Sequence, residues 1–339
     1  MSKNFDWQNI GFQYRKTNSY VKAEYKNGSW QDIELCTDEY IPLHIAATCL
    51  HYGQSGFEGM KAFTRKDGTI ATFRPDENAK RLIRTAHRLL MVPPPEELFL
   101  EAVNRAIKEN TDYVPPYGTG ASLYIRPLLI GVTPRVGLQP SEEYNFYVLV
   151  MPVGPYYKDG FFPIKACVHE DYDRAAPKGV GNIKAAGNYA AGMKGDMEMK
   201  KRGYPIALYL DSSTHTYIDE FSTSNFIAIT ADKRYVTPQS TSILESITNK
   251  SLQVLAKDFG FTVEQRPILF SEIDQFVEVG ACGTAAVITP IYSITRGDKE
   301  YTFGSKDKAG KTLTRLYKEL LGIQHGEIED RHGWMAAVK

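Results

Sequence analysis

Cysteine is scarce in this sequence. There are four in 339 residues, Cys36, Cys49, Cys167 and Cys282, far apart and never as Cys-x-x-Cys. That usage argues against a disulfide framework and is expected of reduced thiols in a cytoplasmic protein. The seven histidines show no His-x-x-x-His and no mixed Cys/His spacing, so no metal site is expected. An excess of charge of either sign is lacking too. Forty basic residues balance forty acidic ones, which leaves no electrostatic case for binding nucleic acid or an acidic membrane surface. No apolar run is long enough to cross a bilayer, and the start, Met-Ser-Lys-Asn-Phe-Asp, has no apolar signal-peptide core. The sequence contains no internal repeat and no low-complexity segment.

What remains is an ordinary globular composition, 42% hydrophobic and 24% charged, in a chain long enough for two domains. The first half reads as strands with a few helices. Ser19 to Trp30 is a hairpin about Asn27-Gly28. Ile41 to Tyr52 reads as a buried strand or a short helix. Two glycines around Phe57 predict a tight turn into a strand at Met60 to Thr64, followed by a turn at Asp67-Gly68 and a strand at Thr69 to Phe73. Arg74-Pro75-Asp76 opens a helix, Pro75 and Asp76 suiting its first turn. Leu82, Ile83, Ala86, Leu89 and Leu90 recur at helical spacing and make Asn78 to Met91 amphipathic, with Pro93-Pro94-Pro95 ending it. A second helix is expected over Glu96 to Asn110, then strands at Ser122 to Ile130 and Tyr144 to Pro152.

The second half alternates strand and helix. Strands are expected at Ile164 to Val168, Ile206 to Leu210, Tyr217 to Glu220, Asn225 to Thr230 and Thr262 to Pro267. One further strand, Phe276 to Thr289, is interrupted by Gly280 and Gly283. Helices are expected over Ala190 to Arg202, Leu244 to Phe259 and Thr312 to Leu321. The expected division is a small domain over 1–157, a linker over 158–171 and a large domain over 172–339 that carries Lys184.

Gly181 to Gly192 surrounds Lys184 with small residues: Gly181, Ala185, Ala186, Gly187, Ala190, Ala191 and Gly192. A backbone without bulky side chains admits a large planar ligand. A lysine in a confined site gives up its proton more easily than one in water and suits Schiff-base chemistry. By itself the stretch also fits a surface lysine in a Gly/Ala loop. Glu220, between two apolar runs, reads either as the buried partner of a cation or as a carboxylate at a strand end. Arg74, before a proline at a strand-to-helix junction, fits a phosphate ligand or a surface ion pair. Ser246-Ile247-Thr248-Asn249 opens a helix whose first amides suit an anion, and Ser242 with Glu245 spells a capping box that would start that helix earlier. Gly283-Thr284-Ala285 reads as an anion-binding nest or a β-bulge. Tyr124 and Arg126 share one face of a strand, and the arginine needs an anionic partner, structural or substrate. Tyr189 fits a hydrogen-bond donor to a phenolate oxygen or a packed core tyrosine.

Taken in order, these stretches resemble the branched-chain amino acid aminotransferases, of the pyridoxal-phosphate fold type IV group. The resemblance runs from about Tyr20 to Leu321. It is carried by Tyr52-Gly-Gln-Ser-Gly-Phe-Glu-Gly-Met-Lys-Ala-Phe63, Phe73-Arg74-Pro75, Tyr124-Ile-Arg-Pro127, Pro152-Val-Gly-Pro-Tyr156, Asn182-Ile-Lys-Ala-Ala-Gly-Asn-Tyr189, Asp219-Glu220 with Asn225, and Gly283-Thr-Ala285. It implies a two-domain α/β (α+β) fold, with a smaller α/β N-terminal domain and a larger C-terminal domain around a barrel-like core. It implies pyridoxal 5'-phosphate as cofactor and amino transfer between leucine, isoleucine or valine and 2-oxoglutarate. On the resemblance, Lys184 is the Schiff-base lysine. Arg74, the Ile247 and Thr248 amides and Thr284 hold the cofactor phosphate, Glu220 faces the pyridine nitrogen, and Tyr189 faces the phenolate oxygen. Phe57, Tyr124 and Tyr156 wall the side-chain pocket, Arg126 meets the distal carboxylate of glutamate, and Ala285 lies in the substrate site. Tyr52 matches a residue that reaches a neighbouring subunit, so a homodimer is implied. Some members carry Cys-x-x-Cys just after the Gly-Thr-Ala turn. Here those positions are Ala286 and Thr289, so no thiol switch is expected.

Overall fold

The computed structural model describes residues 5–154 and 160–339. Contacts divide the chain into two units, one of Met1–Lys158, Ile183–Gly187 and Gly322–Lys339, the other of Asp159–Asn182 and Asn188–Leu321. The loop with Lys184 thus groups with the first unit, not with the later residues beside it in sequence. The reason is local: Ala185 bridges to Gly56, and the Phe57 amide donates to the Lys184 carbonyl.

The elements of the first half are β1 (Tyr20–Lys26), β2 (Ser29–Trp30), β3 (Glu34–Cys36), α1 (Thr48–Tyr52), β4 (Ser55–Phe57), β5 (Met60–Thr64), β6 (Ile70–Phe73), α2 (Pro75–Arg88), α3 (Glu96–Lys108), β7 (Ser122–Gly131) and β8 (Tyr144–Val153). Asn27 and Gly28 both have positive φ, 55° and 79°, as a two-residue hairpin with the strands' own twist requires. α2 starts at Pro75, as the Arg74-Pro75-Asp76 opening predicts, but closes at Arg88, short of Met91 and of the three prolines. Pro75 is already shaped for a first helical turn, and Asp76 and Glu77 favour the positive end of the helix dipole.

The sheet of this unit runs in the order β18-β6-β5-β7-β8-β1-β2, with β3 on β1 and β4 on β7; β18 is Met335–Ala337, a closing strand that the sequence pattern does not announce. One side of the sheet packs on α2 and α3 through Met60, Leu82, Phe99, Val103, Ile107, Leu123, Ile125 and Phe146. The strand alternation leaves Tyr124 and Arg126 on the other side.

The second half contributes β9 (Ile164–Val168), α4 (Ala186–Lys201), β10 (Ile206–Leu210), β11 (Ile218–Phe221), β12 (Ser224–Thr230), β13 (Arg234–Pro238), α5 (Ile247–Asp258), β14 (Thr262–Arg266), β15 (Phe276–Gly283), β16 (Val287–Arg296), β17 (Lys299–Thr302) and α6 (Lys311–His325). The strand order is β11-β10-β9-β16-β15-β12-β13-β14, and β11 also pairs with β12. That last pairing closes β11, β10, β9, β16, β15 and β12 into a ring, a six-stranded barrel. Every strand of the ring contributes to one apolar cluster: Ala166, Leu208, Ile218, Phe226, Val279 and Ile291. Filling a small barrel in this way leaves no channel.

Two sequence expectations change here. The interrupted strand at Phe276 to Thr289 is a hairpin, in which Gly283 pairs with Val287 and Thr284 to Ala286 form the turn. The helix expected from Leu244 begins at Ile247, capped by the Ser246 hydroxyl, which accepts from the Asn249 amide at 3.2 Å. Ser242 forms no capping box, because its hydroxyl donates to the buried Asp219 carboxylate. No helix among the described residues is long and apolar enough to cross a membrane.

Candidate active site

Lys184 is held from both sides of its own peptide unit. Its amide donates to Thr85 Oγ1 at 3.1 Å, and its carbonyl accepts from the Phe57 amide at 3.1 Å. The ammonium lies 4.8 Å from the centre of the Phe57 ring. Burial pushes the amine down from 10.5 to about 8, and Arg81 and Arg126 push the same way against Glu58 and Tyr124. At pH 7 that change raises the neutral fraction of the amine by about 300-fold.

Phe57, Tyr124 and Arg126 form the wall beside this lysine. The Arg126 guanidinium stacks 4.7 Å from the Phe57 ring centre and 5.2 Å from that of Tyr124, and Nη2 donates to the Tyr124 hydroxyl at 2.8 Å. Its Nε is buried and has no partner among the described residues. That nitrogen thus meets no structural carboxylate among the described residues. Gly59 is required here, since a Cβ at that position would stand 2.4 Å from the Tyr124 hydroxyl oxygen.

Arg74 precedes α2 with φ 47° and ψ 51°, left-handed geometry that a non-glycine residue rarely adopts. Its amide donates to the Trp334 carbonyl at 2.8 Å, and its guanidinium lies 5.5 Å from the Trp334 ring centre. Tyr52 is turned to the surface, its hydroxyl donating to the Val136 carbonyl. Tyr156 lies outside the described residues.

In the second unit, the register of three strands lines up the other group. Glu220 of β11 is opposite Asn225 of β12, which is opposite Cys282 of β15. Glu220 is buried and ion-paired at 2.8 Å with Arg174. It also accepts from Asn225 Nδ2 at 2.8 Å and from the Leu244 amide at 3.1 Å. Burial pushes its carboxyl up to about 7, against the pull of Arg174 and of those two donors. The same burial, with the Glu220 charge behind it, pushes the Cys282 thiol far up. Asn225 Oδ1 accepts from the Ser246 amide at 3.3 Å, so one side chain joins Glu220 to the start of α5. There the Ile247 and Thr248 amides belong to the first turn, where a helix offers them no internal acceptor.

β15 ends in the turn with Thr284 and Ala285, after which Val287 has φ 62°. That is a strained conformation for a β-branched residue. Tyr189 is half-buried on α4. The glycines near Lys184 do not share one purpose. A Cβ on Gly181 would stand 2.7 Å from Arg174 Nη2, whereas one on Gly187 or Gly192 would meet nothing within 4 Å.

Sequence reading did not single out Arg174, Arg81 or Glu58. Each is an ordinary charged residue in sequence, and only its place in the fold against an opposite charge marks it. Among the described residues no group of three or more His, Cys, Asp or Glu side chains is placed to hold a metal.

The donors fit a pyridoxal phosphate. An amine that loses its proton near neutral pH, a buried carboxylate for a ring cation and a helix start for a phosphate are the three features that the group needs. Residues 55–294 match the family model described as amino-transferase class IV. The branched-chain-amino-acid aminotransferase of Haemophilus influenzae is 46% identical, over 99% of this chain and all of its own. That of Helicobacter pylori is also 46% identical, over 99% of this chain and 98% of its own. The crystal structure of the Escherichia coli branched-chain amino acid aminotransferase superposes with a TM-score of 0.79 at 28% identity, over 96% of this chain and 100% of that one. The chain belongs to the class IV aminotransferases and, within them, to the branched-chain-amino-acid aminotransferase family.

Proposed function

We propose that this protein catalyses reversible amino transfer between L-leucine, L-isoleucine or L-valine and 2-oxoglutarate, with pyridoxal 5'-phosphate as cofactor. The observation that carries the reading is the Lys184 amine, fixed at its main chain and pushed down to about 8 beside Phe57, Tyr124 and Arg126. Bound there, the cofactor supplies an electron sink for the pair left behind when the substrate Cα proton departs. Lys184 Nζ takes that proton and returns it, as base and then as acid. An amine poised near the working pH suits both roles.

Glu220 faces the ring nitrogen, and Arg174 favours its carboxylate form against the effect of burial. Tyr189 donates to the phenolate oxygen. Arg74, the Ile247 and Thr248 amides and Thr284 hold the phosphate. Phe57 and Tyr124 with Tyr156 take branched aliphatic chains, and Ala285 lines the substrate site. The unpartnered Nε of Arg126 receives the distal carboxylate of glutamate.

The working form is a homodimer in the cytoplasm. Ile45 and Val136 are 79% and 77% exposed, and Leu50 and Leu138 are exposed on the same two segments. These segments are joined by a bridge between Ala47 and Pro134. Such an apolar surface favours a second copy, and Tyr52 lies within it. All four cysteines are free.

The test is an absorbance spectrum of the purified protein before and after L-leucine, with D-alanine as control. A cofactor band that L-leucine shifts and D-alanine leaves alone is the expected result. Borohydride trapping and peptide mapping must then place the label on Lys184, and light scattering must give twice the chain mass. A D-alanine response in place of the leucine response would instead mark an aminotransferase of opposite handedness.

A further inference from the structure

Asn78, Arg81 and Thr85 stand at i, i+3 and i+7 of α2, so they share one face of the helix. All three are buried, at 3%, 5% and 0% exposure. From this face, polar contacts reach the lysine segment and the end of the strand beside it. Thr85 Oγ1 accepts a hydrogen bond from the Lys184 amide, and its methyl packs on Gly56, where a Cβ would come within 2.8 Å. Gly56 bridges to Ala185, and Phe57 donates to the Lys184 carbonyl. Glu58 comes next. Arg81 grips it with both arms, Nε to Oε1 at 2.8 Å and Nη2 to Oε2 at 2.7 Å, and Asn78 Nδ2 donates to Oε2 at 2.7 Å. The chain from Gly56 to Glu58 and the chain from Lys184 to Ala185 are thus both tied to the same helix face.

We infer that the Asn78–Arg81–Thr85 face of α2, together with Glu58, is the positioning element for Lys184. It fixes where the amine stands and which charges it meets. A fully buried ion pair costs desolvation that an apolar pair of similar volume avoids, so this pair earns its place through what lies next to it. The charged and titratable groups that face the amine are Arg81 from α2, Glu58 after β4, and Tyr124 and Arg126 from β7. Arg81 is the largest charged influence that disfavours the ammonium, and Glu58 opposes it. The two partners therefore pull the same proton in opposite directions, and removing one has a predictable sign.

The inference rests on Lys184 being the residue that bonds the cofactor, and the experiment separates the two claims. Holoenzymes of wild type, Thr85→Val, Thr85→Ser and Glu58→Gln are trapped with borohydride and mapped. The pH dependence of Lys184 acylation is then measured in the apoenzymes by peptide mass, and the cofactor absorbance of each holoenzyme is titrated. Glu58→Gln leaves Arg81 uncompensated and lowers the amine midpoint, which speeds labelling at pH 7 by about threefold, the consequence of half a pH unit. Thr85→Val frees the lysine segment and admits water, which raises the midpoint and slows labelling by about threefold. Thr85→Ser keeps the acceptor oxygen and restores the wild-type midpoint. A merely structural cluster would lower melting temperature without these opposed shifts. Unmoved midpoints in Thr85→Val and Glu58→Gln, with the label on Lys184, overturn the inference alone. A label on another residue overturns it together with the reading beneath it. Should Glu58→Gln fail to fold, the valine and serine variants of Thr85 decide between the same two outcomes.

Discussion

Around Lys184 the strongest charged neighbour reinforces what burial does; around Glu220 it opposes it. Loss of water disfavours charge on both groups. In the first unit Arg81 adds to that effect, and the amine ends near 8. In the second unit Arg174, Asn225 and the Leu244 amide all act against it, yet the carboxyl still ends near 7. The two groups therefore approach neutral pH from opposite sides. Burial thus weakens the charge of both groups. The chemistry of an aminotransferase asks for a neutral lysine and an anionic carboxylate, and Arg174 beside the carboxylate works against the loss of water without fully offsetting it.

The contrast can be broken most severely at Lys184. Lys184→Ala removes the amine proposed as both nucleophile and proton carrier, and leucine turnover is expected to fall by about 10⁴-fold or more. Steady-state assay checks this, and substantial residual turnover would exclude the proton-carrier role. Glu220→Gln keeps the shape but not the charge. Cofactor is expected to remain bound while the rate falls about 100-fold, measured as single-turnover decay of the cofactor band.

Arg174→Met leaves Glu220 buried without its cation. Stability is expected to drop by about 3 kcal/mol, read from urea midpoints, and the acid limb of the kcat profile is expected to move to higher pH. Ser246→Ala removes the cap of α5 and is expected to cost about 1 kcal/mol, with a weaker hold on cofactor phosphate in equilibrium dialysis.

A pH comparison sharpens the lysine side further. The folded amine near 8 lies below its unfolded value of 10.5, so the unfolded chain binds the extra proton between those values. The amine is therefore a burden below pH 8 that fades as pH rises to 10.5. Apoenzyme stability measured against Lys184→Met should show the gap closing over that window.

Much of this was legible in the chain. The hairpin at Asn27-Gly28, the strand Ile164–Val168 and the helix opened by Pro75 follow from turn chemistry and residue pattern, although that helix closes at Arg88, before the three prolines are reached. The motifs around Phe57, Lys184, Glu220 and Thr284 carried the resemblance to the family to which the chain belongs. Other features were not legible, for physical reasons. Met335–Ala337 becomes a strand only because β6 offers it an edge. Ser242 with Glu245 spells a cap, but a buried Asp219 claims the hydroxyl first. Arg174, Arg81 and Glu58 carry no local signal, because an ion pair between residues 46 or 23 positions apart has no sequence period.

Residue type and spacing set which chemistry is possible: an amine in a run of small residues, a carboxylate between apolar runs, and a helix start rich in free amides. These are local properties, readable without coordinates. The protonation of those groups was settled by the folded arrangement alone. Proton affinity depends on lost water and on charges a few ångströms away, and which charges come that close follows from sheet register and helix face.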